Sequence, residues 1–357
     1  MIDPRSAYII RRERRWRLIS FVSILIFSVS LVLFIKGLLA STVLAFVIAY
    51  LFAPVVDFLE RKGVRRTWST FIPFAAGGVL VGIGLTLVLP LVIEQSQSLI
   101  ERLPQYQQDL ASRITAFEQK YSVYFRMGQL NLSKELSEWM VEKTGDLSVA
   151  LPAIVSQSFT ILLLAPFFAF FMLQDGNTIA RSLLSYVPNQ LFEVTLNLRH
   201  QINDQLGGFI RARFLEAAIV GAVVWIGLQF LSFPFATVLA IFAAAMNLIP
   251  YVGPIIGAVP AVLIALVSIE ASAGSTQGVT LFLVSAIYLI AQLIDVVFVI
   301  PLVVAKIVDM HPVTVVVMII AGAEIGGILG MMISVPVASA AKLTFNAVYS
   351  HLTNFRD

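Results

Sequence analysis

The chain has 357 residues, 59% hydrophobic and only 13% charged, with a formal net charge of +3 and a mean hydropathy of +0.90. So apolar a composition excludes an ordinary soluble globular domain and points to a polytopic membrane protein. The basic residues gather at the ends of apolar runs rather than on a face interleaved with aromatics, which argues against nucleic-acid binding, and the absence of cysteine excludes disulfides, thiolate zinc sites and a cysteine nucleophile.

The first apolar run, about residues 18–35, follows Arg11, Arg12, Arg14, Arg15 and Arg17, the charge asymmetry expected of a cytoplasmic N-terminus. A cleaved signal peptide carries a similar signature, but the next span, about residues 37–59, follows almost without a gap and no clean cleavage site lies between. The short basic loop Arg61-Lys-Gly-Val-Arg-Arg66 then returns the chain to the cytoplasmic side. A third span, about residues 71–93, carries Gly78 and Gly82, a small-xxx-small pair expected to let helices pack closely.

From 94 to 150 the pattern turns polar. Leu99, Leu103, Tyr106, Leu110, Ile114, Phe117 and Tyr121 recur at steps of three and four, predicting an amphipathic helix, with a shorter one after it using Leu132, Leu136, Trp139, Met140 and Leu147. The region reads as a lid over the transport region or, the favoured reading, as an extracytoplasmic helical hairpin packed on itself or on a neighbouring subunit. Residues 152–173 return through the membrane and end in Leu173-Gln-Asp-Gly176, and residues 177–208 form an amphipathic helix expected on the cytoplasmic membrane surface.

The remainder is a repeat. A span at about residues 213–231 precedes a long interrupted apolar stretch at 236–269, and a span at 279–304 precedes a second at 312–345. At one fixed offset Pro250 meets Gly326, Pro254 meets Gly330, and Val259-Pro260 meets Val335-Pro336. Each stretch is too long for one straight crossing of a core about 30 Å thick. It is therefore either a re-entrant hairpin of two half-helices or one kinked span. Charge placement leans toward hairpins: residues 270–278 lack Lys and Arg, while Lys306, Lys342 and Arg356 fall on the inner side. Hairpins make the two units an inverted repeat with a site between the tips. The expected fold class is all-α: about six full spans, two re-entrant or broken helical hairpins and an extramembrane helical hairpin. The regions are 1–93, 94–150, 151–208, 209–269, 278–345 and a cytoplasmic tail at 346–357.

Broken helices in lipid leave backbone groups that only protein or a watery cavity can satisfy, so the breakers Pro250, Pro254, Gly257, Gly322, Gly326 and Gly330 mark a transport site. Glu324, between Gly322 and Gly326, is the sharpest candidate: an ionised carboxylate is costly there, which suits a proton or cation carrier, though a water-exposed tip or a basic partner also accounts for it. Asn247 holds the matching place in the first hairpin, with Tyr251 and Gly253 beside it, either to bind a polar solute or to cap a broken helix. Gln292 and Asp295 share a helix face, and Gln292 meets Glu216 at the repeat offset, although Arg213, three residues before Glu216, offers an ion pair. Asp309 and His311 before Pro312 read as a helix start. No zinc-protease motif, nucleophile elbow or phosphate loop is present, so an enzyme is not expected, and no cofactor or metal is implied.

The run Asn247-Leu-Ile-Pro-Tyr-Val-Gly-Pro254, Met310-His-Pro312 within the stretch from Pro301, the block from Gly326 to Pro336 and the ending Leu173-Gln-Asp-Gly176 resemble the autoinducer-2 exporter family of PerM-like permeases over nearly the whole chain. The resemblance implies an inner-membrane transporter with about eight membrane segments, some members exporting autoinducer-2 and others resembling sodium or lithium/proton antiporters. It also implies a homo-oligomer, a pentamer among the assemblies. The expected function is movement of a small polar solute or cation by alternating access, with both termini cytoplasmic. The competing reading is a non-transporting membrane scaffold or regulatory subunit that acts through its extramembrane helices.

Overall fold

The computed structural model describes residues 23, 30, 38–125, 161, 163–185, 187, 189–267, 277–297 and 310–353. Among these the structure is helical throughout, with no strand. The helices are α1 (Leu38–Arg61), α2 (Arg66–Phe125), α3 (residues 163–184), α4 (Asn189–Phe230), α5 (Ala236–Asn247), α6 (Gly253–Val267), α7 (Gln277–Ile294) and α8 (Pro312–Thr353). Most of the expected first span, the shorter helix using Leu132 to Leu147, most of the loop at 270–278, Lys306, Asp309 and Arg356 lie outside the described residues.

Among the described residues, four stretches are long and apolar enough to cross a membrane: Leu38–Arg61, Arg66–Ala116, Gly278–Val297 and Pro312–Ala347. Three expected breaks are absent. α2 runs unbroken through position 93, α4 joins the expected interfacial helix to the expected span at 213–231, and α3 continues past Gly176. Pro90, Gly176 and Gly207-Gly208 stand at or near these positions, yet the helices run through them and none of the three glycine positions takes φ > 0, so a change of polarity beside a weak breaker does not end a helix here.

Two compact units form. One comprises Met1–Phe74, Gln157–Leu206 and Gly322–Asp357; the other Ala75–Ser156 and Gly207–Ala321. In the first, Ala45 and Ala49 of α1 and Ala165 and Ala169 of α3 are buried together. Small side chains one turn apart let helix backbones approach closely, the packing open to apolar helices when burial from water does not drive association. Phe74 closes the cluster against Phe52 and Phe170, at ring distances of 5.1 and 5.8 Å. The close packing expected at Gly78 and Gly82 is not made among the described residues: a Cβ added at either would meet none of them within 4 Å.

In the second unit α5 and α6 form a helical hairpin whose core, with Val224, Leu228, Leu239, Ala261 and Val284, also involves α4 and α7. At about 18 and 22 Å long, α5 and α6 are each too short to cross a bilayer core. The turn between them rebuilds the broken ladder with short-range bonds: Ile249 N donates to the Met246 carbonyl at 2.9 Å and Gly253 N to that of Ile249 at 3.0 Å. Gly253 is required there, because a Cβ would lie 1.9 Å from the Met246 carbonyl oxygen. Leu99 and Tyr106 of α2 pack on this core and Leu110 is buried, so the described part of the amphipathic stripe faces inward. α2 also supplies Gln95, whose Oε1 accepts from the backbone N–H groups of Thr237 and Val238 at 3.1 and 3.2 Å. It thus caps α5 from 142 residues away, where Phe235 at the N-cap position provides no side-chain bond.

α8 is broken too. Gly326 (φ −138°, ψ 15°) and Gly327 (φ 58°, ψ −139°) leave helical geometry, and the chain folds back so that Gly322 and Gly330 lie backbone to backbone. In the register that aligns Pro250 with Gly326, Tyr251 (φ 62°) falls on Gly327, so a left-handed residue follows the breaker in both halves.

Gly330→Ala should destabilise the protein by about 1–3 kcal/mol, the usual cost of forcing volume into a filled contact, since its Cβ would sit 2.0 Å from the Gly322 carbonyl oxygen. Gly82→Ala, in open space, should be neutral or add up to about 1 kcal/mol; equal effects of the two on unfolding in detergent would refute the hairpin contact. Gln95→Ala should cost about 1 kcal/mol, read as faster hydrogen exchange at the Thr237 and Val238 amides while exchange at the C-terminal end of α5 is unchanged.

Candidate transport site

The described residues place the strongest polar cluster beside the first hairpin, where α4, α6 and α7 border a cavity of about 550 Å³. α4 brings Arg213 and Glu216, one turn apart on the same face, and Arg213 Nη1 donates to Glu216 Oε1 at 2.5 Å. The guanidinium also lies over the Phe209 ring, 5.4 Å from its centroid, so its second face is covered by a π-system that attracts cations. Asp295 comes from the end of α7, where the helix loosens into a π-turn over residues 295–297, an irregularity frequent at functional sites. Its carboxyl faces that of Glu216 within range of Arg213. Glu216 and Asp295 are each only 1% exposed.

One cation and two acids do not balance. Fully ionised, the cluster carries one net negative charge in a low-dielectric setting, where an uncompensated charge is expensive. The hydrogen bonding is incomplete in the same place: among the described residues, Glu216 Oε2, Asp295 Oδ1, Arg213 Nε and the Tyr288 hydroxyl are buried without a partner. A proton shared between the facing carboxyls would both pair them and remove the excess negative charge.

Of the residues singled out from the sequence, Glu216, Tyr251, Pro254, Gln292 and Asp295 all line this cavity. Tyr251 stands half-exposed at the hairpin turn. Asn247 is buried at the end of α5 and neither amide atom has a partner among the described residues, so it makes no capping bond. Gly253 and Gly257 shape the hairpin: a Cβ at Gly257 would press to 3.1 Å from the Ala243 Cα. Pro250 lies in the turn, and Gly322, Gly326 and Gly330 shape the second hairpin. Glu324 belongs to the other compact unit, where it is exposed and outside the buried cluster. His311 begins α8, its Nδ1 accepting from Val313 N at 3.3 Å.

Sequence reasoning passed over Tyr288 and Ser285 and named Arg213 only as a partner for Glu216. The signal for Tyr288 was present: Ser285, Tyr288, Gln292 and Asp295 follow one another at helical steps along one face of α7. Gln95 had none, because only the fold brings it to α5.

A sequence profile described as "AI-2E family transporter" matches residues 21–350. The chain is 28% identical over 322 residues to the Bacillus subtilis protein described as "Putative transport protein YueF", covering 88% of this chain and 85% of that one. It is 26% identical over 355 residues to the Escherichia coli protein described as "Putative permease PerM", covering 97% and 98%. With apolar helices long enough to cross a bilayer and a family match spanning nearly its whole length, the chain belongs to the AI-2E family of membrane transporters.

Proposed function

We propose that this protein is a secondary transporter of the cytoplasmic membrane that moves a small polar solute or a cation by alternating access, with both termini cytoplasmic, and that exchange at Glu216 and Asp295 drives its cycle. The observation that carries this reading is the unbalanced cluster: two facing buried carboxyls against a single guanidinium, beside a cavity bordered by a broken hairpin. Buried ionisable groups inside a membrane protein are costly and mark ion or substrate pathways. Arg213 neutralises one carboxyl in every state, and the second then takes up a proton or cation on one side and releases it on the other.

The broken hairpins fit the same cycle. Half-helices whose ends are satisfied by tight turns rather than by a continuous ladder can shift as blocks, and paired interruptions in two repeats are the sequence mark of such transporters. On this reading the interrupted stretches enter and leave the bilayer on the same side. The long exposed apolar face of α2, including Leu80, Leu87 and Ile93, is a surface for lipid or for further copies of the chain in a homo-oligomer.

In proteoliposomes, Glu216→Gln and Asp295→Asn should each cut gradient-driven flux by at least about tenfold, as expected when an intramembrane charge with a specific role is removed, while leaving expression and thermal stability near the parent. Arg213→Met should instead destabilise the protein by about 3–5 kcal/mol, because it strands a buried charge pair. Flux that ignores both carboxyl variants under proton and sodium gradients alike would remove the cluster from transport. Glu324→Gln provides an independent check on the second hairpin: unchanged flux and unchanged pH dependence would take that carboxyl out of the pathway.

A further inference from the structure

A second cavity, of about 930 Å³, lies wholly within the unit that contains α1 and α3. One side of its wall is apolar, formed by Phe46 and Tyr50 of α1 and by Met172, Leu183 and Leu184 of α3, whereas Asn177, Asn203, Arg66, Arg199 and His200 make the other side polar. Arg66 is held in place: Nη1 donates to Glu60 Oε2 at 2.6 Å and Nη2 to the Leu173 carbonyl, and its Nε is buried without a partner among the described residues. Arg199 reaches only a neutral group, the Asn177 side-chain oxygen at 3.3 Å, so no carboxylate among the described residues meets its charge. His200 is already met by a carboxylate, its Nε2 lying 3.3 Å from Asp204 Oδ2 on an exposed face, and Asp57 is the one acid in the lining, which leaves Arg199 as the cation there with no acidic partner among the described residues.

The depth of this cavity follows from neighbouring residues. The turn joining α1 to α2 holds Arg61, Lys62, Arg65 and Arg66, the ends of two apolar helices. One turn into α2, Trp68 is exposed and meets Phe71 edge-on at 5.8 Å, and Lys62 lies 5.6 Å from the Phe58 ring centroid. Exposed tryptophan and basic side chains at the ends of apolar helices belong at headgroup level, where one side of a residue is wet and the other is not. A cavity at that level with an apolar side and two arginines suits a ligand that is both anionic and oily.

We propose that this cavity binds one anionic phospholipid, its phosphodiester held by Arg199 with the Arg66 guanidinium beside it and an acyl chain lying along Phe46, Tyr50 and Leu184. Basic pockets between membrane helices bind such headgroups by charge, and each nearby Lys or Arg strengthens the attraction several-fold. The apolar side selects a lipid over a soluble anion, because a free phosphate leaves it in contact with water. The assignment is independent of what the transporter carries.

The test uses delipidated full-length protein in detergent, titrated separately with phosphatidylglycerol, phosphatidylcholine and inorganic phosphate, and read by native mass spectrometry and thermal unfolding. The expected result is one phosphatidylglycerol per chain, bound more tightly than phosphatidylcholine, with phosphate alone giving little stabilisation. Arg199→Gln should weaken phosphatidylglycerol binding on the order of fivefold, Arg199→Gln with Arg66→Gln more, and Arg199→Lys should retain most of it. Equal affinity for the two lipids in the unmodified protein, a comparison that needs no variant to fold, overturns the proposal. So does stabilisation by phosphate matching that by lipid, which makes this a free-anion site. A change in subunit number in the double variant with lipid binding unaltered also overturns it, since the cavity would then be a contact between copies.

Discussion

Every peptide group placed in lipid must find its hydrogen bond within the protein, and the arrangement of this chain follows from where that rule is met by something other than a continuous helix. α5 stops at Asn247 and α8 leaves helical geometry at Gly326 and Gly327. At the first break the freed groups are taken up locally, by the Ile249 to Met246 and Gly253 to Ile249 bonds. At the start of α5 they are taken up at long range, by the Gln95 side chain of α2. That last contact gives the long helix α2 a structural task beyond spanning: the amphipathic stripe with Leu99 and Tyr106 anchors α2 on the hairpin core, and the anchor holds the cap in place.

The polar cluster depends on the same hairpin. Tyr251 and Pro254 border the cavity only because the chain turns back between α5 and α6. A straight helix would carry Pro254 about 10 Å along the axis from Asn247. The cluster is expensive on its own account, since two carboxyls and a guanidinium leave water for a setting in which several of their atoms lack partners, and apolar side chains of similar volume are often more stable in such positions. A fold that keeps Arg213, Glu216 and Asp295 there retains a stability cost, and stability alone gives no reason to keep it.

Much of this was legible from residues in order. Composition gave the membrane class, and the breakers in register gave the positions of both hairpins, because Pro and Gly act locally on the backbone. The spacing of Gln292 and Asp295, with Glu216 at the repeat offset, brought three cavity residues to notice before any coordinates. What escaped was set by contacts distant in sequence. Glu324 drew attention because it is a lone acid in an apolar run, yet among the described residues the buried acids are Glu216 and Asp295. Burial is decided by which face of a helix another helix covers, and single-chain polarity does not reveal that. The expected breaks near 93 and 208 failed for a related reason: an amphipathic helix and an apolar one share the same backbone, and a change of environment along a helix need not interrupt it.

The two hairpins reach a similar break by opposite means. In the first, Pro250 fixes its own φ and removes a donor, and Tyr251 then adopts φ 62°, a left-handed conformation costing about 1–2 kcal/mol per residue with a side chain. The second uses Gly326 and Gly327, and Gly327 reaches φ 58° with no Cβ penalty. The first is therefore held by covalent constraint and by a packed core of Val224, Leu239 and Ala261. The second is held by the contact of Gly322 with Gly330, while a side chain on Gly327 would meet no atom within 4 Å. Strain is tolerated where the surroundings over-determine the geometry, which places the stiff hairpin beside the charged cavity and leaves the conformationally freer turn on the half of the repeat whose acid, Glu324, is exposed.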